Sequence, residues 1–116
     1  MNNATFENIL ITRIGKIQST LASKAKEYAT SDRLHNFKVA ARRLDCTPER
    51  ALVGMKEKHC VSVQDIVNDL DKGILPTDNL INEKIGDEIN YLILLEALLK
   101  ERLMLPEPSY QIVPVE

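Results

Sequence analysis

The stretch from Asn82 to Leu99, NEKIGDEINYLILLEALL, constrains the chain most, because one unbroken helical pattern there carries both its most apolar surface and its best-spaced acids. Ile81, Ile85, Ile89, Leu92, Leu99 and Leu103 recur at steps of three and four residues or their multiples, which is one face of a 3.6-residue repeat. Glu83, Asp87 and Asn90, at i, i+4 and i+7, project side by side from nearly the opposite face. Leu94 and Ala97 continue that second face, so the helix is apolar almost all round and is expected to lie between neighbours. A carboxylate pair turned into an interior needs a proton, a basic partner or a metal ion. Mg²⁺ suits one or two carboxylates together with water and substrate phosphates. The same spacing is common on solvated helix faces, so an ordinary exposed charge stripe stays open. Glu88 falls inside the apolar stripe, either at a wet helix end or as a further member of the site.

The chain's 116 residues are enough for one core and too few for two. Aromatics at 4%, no tryptophan and 44% hydrophobic residues suit aliphatic helix packing, so the expected class is all-α. A formal net charge of −2 provides no basic field for extended nucleic acid. Cys46 and Cys60 lack CxxC spacing or a histidine cluster, which argues against zinc and against a disulfide framework. Glu96, Lys100 and Glu101 interrupt the last apolar run well before the ~20 residues of a membrane span. A cytoplasmic protein that does not cross a membrane is expected.

Phe6, Leu10, Ile14, Ile17, Leu21 and Ala25 predict a first helix from about Thr5 to Ala29, capped by Asn3 or Thr5 and forming one wall of the core. Thr30, Ser31 and Asp32 favour a turn, and Leu34, Phe37, Ala41 and Leu44 predict a short helix ending near Asp45. Thr47-Pro48-Glu49 combines a capping hydroxyl, a proline at the first helical position and an acid in the first turn. The third helix starts there, runs its stripe through Leu52, Met55, His59, Val63, Ile66 and Leu70, and stops at Gly73 and Pro76. His59 lies in that stripe, where a histidine is usually a satisfied core residue. A parallel polar stripe of Lys58, Ser62, Asp65 and Asp69 either joins the acids of the last helix or faces water. Residues 1–104 read as a single helical domain, and 105–116, with three prolines, as an extended tail.

Three segments carry a resemblance: KEYATSDRLHNFK at Lys26 to Lys38, KHCVSVQDIV from Lys58, and EKIGDEINYLILLEALL from Glu83. Together they resemble the phage and prophage proteins of the nucleotide modification-associated domain family, which is similar to the MazG-like all-α nucleoside triphosphate pyrophosphatases. The match runs from about Lys24 to Leu99, and its most specific pieces are the acid before Tyr28-Ala29, the pair Asn36-Phe37, and Glu83, Asp87, Asn90 and Tyr91 in the last segment. Two departures stand out. The third helix has no adjacent glutamate pair, and the Glu-Glu-Leu-Gly-Asp form of the later motif reads Glu83-Lys84-Ile85-Gly86-Asp87 here.

The resemblance implies a four- to five-helix bundle that hydrolyses a (deoxy)nucleoside triphosphate to monophosphate and pyrophosphate with Mg²⁺ or Mn²⁺. It implies Glu83 and Asp87 as the last helix's catalytic and metal-holding acids and Glu27 as a further ligand; Asp65 completes the expected shell, with Asp69 in reserve. Arg33, Lys38 and Lys58 are the expected phosphate contacts. Asn36, Asn90 and Tyr91 are expected to orient the nucleotide, with Tyr28 or Phe37 stacking on its base. A homodimer or homotetramer in the cytoplasm of a bacterial host, encoded by phage or prophage, completes the expectation. The alternative is a phage-derived helical module that binds a nucleotide or a protein without chemistry.

Overall fold

A computed structural model describes residues 1–25 and 31–104, and these form four helices: α1 (Asn3–Ala25), α2 (His35–Leu44), α3 (Pro48–Asp71) and α4 (Asp78–Met104). The class is all-helical, and the count among the described residues is four. The expected end of the first helix beyond Ala25 and the proline-containing tail lie outside the described residues.

Local chemistry sets the helix ends. Asn2, rather than Asn3 or Thr5, caps α1, its Oδ1 accepting from the Thr5 amide at 2.9 Å. Asp32 closes the turn before α2, accepting from the Leu34 amide and from Lys38 Nζ. α2 ends where Asp45 adopts φ 54° and ψ 52°, so that the Cys46 amide reaches back to the Ala41 carbonyl at 3.0 Å. Thr47 Oγ1 accepts from the Arg50 amide and Pro48 opens α3, as the sequence predicts. Gly73 supplies the left-handed residue, φ 80°, that lets its own amide bond the Leu70 carbonyl and that of Ile74 bond the Asp69 carbonyl, a Schellman closure of α3. Thr77 then caps α4 through the Leu80 amide.

Leu34, Phe37, Leu52 and Leu98 form the core, with Met55, Tyr91, Leu94 and Leu95 packed around them. The core therefore joins α2, α3 and α4. Among the described residues α1 packs on α4 alone, and Phe6, Leu10 and Ile14 of its stripe are about half exposed. The expectation that α1 walls the core is corrected. α4 is corrected too: its inward face carries Gly86, Tyr91, Leu94, Leu95 and Leu98, whereas Ile81, Leu92, Leu99 and Leu103 stand outward. A helix apolar on every side has no unique inner face in its sequence, and the choice falls to the side chains that fit α2 and α3.

Polar ties fasten the same interface. Glu49 near the start of α3 takes a two-pronged hydrogen bond from Arg102 near the end of α4, with Nη2 to Oε2 at 2.9 Å. Midway along α3, Lys56 Nζ donates to Cys60 Sγ and to Glu88 Oε1, and the thiol donates to Glu88 at 3.0 Å. Glu88 is thus neither at a wet helix end nor in the carboxylate site.

Candidate functional site

Asn79, Asn82, Glu83, Gly86, Asp87 and Asn90 follow one another on α4, and α1 crosses this polar face with Arg13, Lys16, Ile17 and Thr20. The two helices enclose a cleft of about 340 Å³. Gly86 makes the crossing close: a Cβ there would lie 2.6 Å from Arg13 Nη1. With no side chain in the way, the Arg13 guanidinium lies against α4 and donates to the Asn82 carbonyl at 3.1 Å.

The cleft sets two cations, Arg13 and Lys16, against two acids, Glu83 and Asp87. Glu83 is the outer acid, its side chain 62% exposed and 3.4 Å from Lys84. Asp87 is deeper and lies 3.6 Å from Nδ1 of His59, whose ring packs on Tyr91 at 4.7 Å between centroids. His59 is therefore a mostly buried neighbour of Asp87. Asn90 Oδ1 is buried and accepts no hydrogen bond from the described residues.

Of the residues expected at the site, Glu83, Asp87 and Asn90 meet here. The other expected residues that the structure describes are elsewhere. Lys38 bonds Asp32 and Glu101, each at 2.7 Å, and ties α2 to the end of α4. Its ammonium also holds the Asp32 carboxyl below its ordinary value. Arg33 donates to the Leu21 carbonyl at 2.7 Å, fastening the end of α1. Asn36 is exposed on α2, and Lys58 and Asp65 are exposed on α3, where the polar stripe with Ser62 and Asp69 does not line this cleft. Tyr91 and Phe37 stack edge to face in the core, 6.3 Å apart, so neither holds a base. Glu27 and Tyr28 lie outside the described residues.

Sequence reasoning missed Arg13, Lys16 and Thr20. Their i, i+3, i+7 spacing was a legible shared face, but which face of α1 meets α4 is a tertiary fact. Among the described residues no three His, Cys, Asp or Glu side chains gather as a metal site. Two carboxylates fit a Mg²⁺ that keeps most of its waters and shares the oxygens of a bound phosphate chain, and do not make a closed protein cage. No described helix is long and apolar enough to cross a membrane. Comparison with protein-family models, with curated proteins and with solved structures finds no match for this chain.

Proposed function

We propose that the cleft between α1 and α4 binds the phosphate chain of a nucleoside triphosphate and that the protein is a nucleotide pyrophosphohydrolase. One observation carries the reading: Arg13 and Lys16 face Glu83 and Asp87 across a single cleft. Phosphate oxygens need the cations, and a divalent ion travelling with them needs the carboxylates. Arg13, held by Asn82 and seated on Gly86, presents a fixed guanidinium, while the more exposed Lys16 follows the chain as a point charge. Bound Mg²⁺ would screen repulsion among phosphate oxygens and acidify a water molecule. Glu83 and Asp87 would hold it, and Glu83, the more exposed of the two, would take the proton of water attacking the α-phosphorus as pyrophosphate leaves. Asn90, which lines the cleft, would hydrogen-bond a sugar hydroxyl or a base amino group.

The resemblance to MazG-like pyrophosphatases supports the same reading and, with it, work on the nucleotide pool of a bacterial host by a phage- or prophage-encoded protein. The test is pyrophosphate release from a panel of ribo- and deoxyribonucleoside triphosphates with Mg²⁺ or Mn²⁺. Glu83→Gln should abolish turnover with helicity unchanged, and turnover retained in that variant contradicts the assignment. A second reading, nucleotide or protein binding without chemistry, is favoured by the balance of two cations against two acids, which leaves the cleft neutral before any metal enters. Triphosphate binding that needs no metal, with no turnover across the panel, is its signature.

A further inference from the structure

Away from the cleft, a second group of reactive side chains stands together at the α3–α4 interface. Lys56 and Cys60 are one turn apart on α3, and Lys56 Nζ lies 2.9 Å from Cys60 Sγ. Glu88 of α4 closes the group, its Oε1 3.1 Å from the ammonium and 3.0 Å from the sulfur. The thiol donates to the carboxylate while the lysine nitrogen stands at the sulfur, so two nucleophiles and a proton acceptor are in mutual contact. The Lys56 and Glu88 side chains keep 15% and 25% of their exposure and Cys60 is half-buried, open enough for a molecule as small as a peroxide. Cys46 is free and half-buried as well, but its thiol joins no hydrogen bond among the described residues. Exposure therefore does not separate the two cysteines; their neighbours do.

We infer that Lys56 and Cys60 form a peroxide-sensitive modification site that closes to a sulfenamide, a covalent Nζ–Sγ bond within α3. Cys60 Sγ passes its proton to Glu88 Oε1 and attacks the peroxide. An S–O bond forms, the O–O bond breaks, and the second oxygen takes that proton and leaves as water. Sulfur is thereby oxidised to the sulfenic acid and the peroxide reduced. The Lys56 nitrogen, its ammonium proton lost to solvent, then attacks Sγ as a backbone nitrogen does in known sulfenamides. The S–N bond forms, the S–O bond breaks, and the oxygen takes a proton from nitrogen and leaves as a second water. Contacts with Cys60 and then Glu88 hold Lys56 above its ordinary 10.5, so closure is slower than the first oxidation. Closure removes the positive charge beside Glu88, and a thiol reductant, itself oxidised to its disulfide, reopens the S–N bond. The α3–α4 tie thus follows redox state, independently of the nucleotide reading.

The test treats the full, reduced chain with limiting hydrogen peroxide and reads its intact mass and tryptic map. The product should be two hydrogens lighter than the parent, with Lys56 joined to Cys60 and the cut after Lys56 lost until a thiol reductant restores it. Cys60 should react at least about tenfold faster than Cys46. In Lys56→Met the oxidised chain should instead stay one oxygen heavier, its sulfenic acid trapped by dimedone at Cys60. If that variant loses helix, the parent decides: oxidation in urea, which removes Glu88 and the helical turn, should slow the cross-link at least about tenfold. No reaction at Cys60 overturns the proposal. So does a parent that stays one oxygen heavier with Lys56 still cleaved, a Cys46–Cys60 disulfide as the lighter product, or a cross-link that forms as readily in urea.

Discussion

Gly86 marks where a single missing side chain decides how closely α1 approaches α4. Alanine there would add up to about 1 kcal/mol of helix propensity, but its methyl would displace the Arg13 guanidinium from its seat. Gly86→Ala should therefore unfold at equal or higher denaturant concentration and yet bind triphosphate several-fold more weakly. Loss of stability with affinity unchanged would contradict the seat. At this scale the acids were legible: Glu83, Asp87 and Asn90 announce themselves by spacing along one helix. Their counter-charges were not, because Lys38 and Arg33 look as available in sequence as Lys16. Only folding reveals that Asp32, Glu101 and the Leu21 carbonyl already engage the first two.

The α3–α4 pairing is pinned by acids whose ionised forms the fold prefers. Cys60 and Lys56 hold the Glu88 carboxyl below its ordinary 4.5. Burial alone would push Glu49 up, but hydrogen bonds led by Arg102 outweigh it and leave Glu49 below 4.5 as well. A depressed carboxylate adds stability above its unfolded value and loses it as pH falls through the folded one. Stability should thus be level near neutrality and decline below about pH 4.5, with a shallower acid limb in Glu88→Gln, read from urea melts at several pH values. Arg102→Ala should cost about 2–3 kcal/mol at neutral pH, somewhat less than breaking a fully buried pair, since both partners keep some solvent contact. The helix boundaries were legible to within a few residues from Thr47-Pro48, Gly73 and Pro76. The inner face of α4 was not, since leucines and isoleucines circle it and the tightest fit to Leu34, Phe37 and Leu52 picks the side.

Across the whole molecule, a small three-helix core carries stability while a fourth helix, attached along one side, completes the site. Leu52 is fully buried, and Leu52→Ala should cost about 3–5 kcal/mol in a denaturant melt, a large share of a small domain's stability. Substitutions on α1 should spare that core and act on ligand binding instead. The all-helical class was plain from composition and periodicity; the division of labour between core and site was hidden, because α1 has as good an apolar stripe as the helices that do enclose the core. The most direct measurement is a calorimetric titration of a nucleoside triphosphate with and without Mg²⁺ into the parent chain, Lys16→Glu and Lys58→Glu. The cleft between α1 and α4 predicts binding lost by at least tenfold in Lys16→Glu and kept in Lys58→Glu. Binding kept in Lys16→Glu and lost in Lys58→Glu would place the phosphates on α3 and contradict the account.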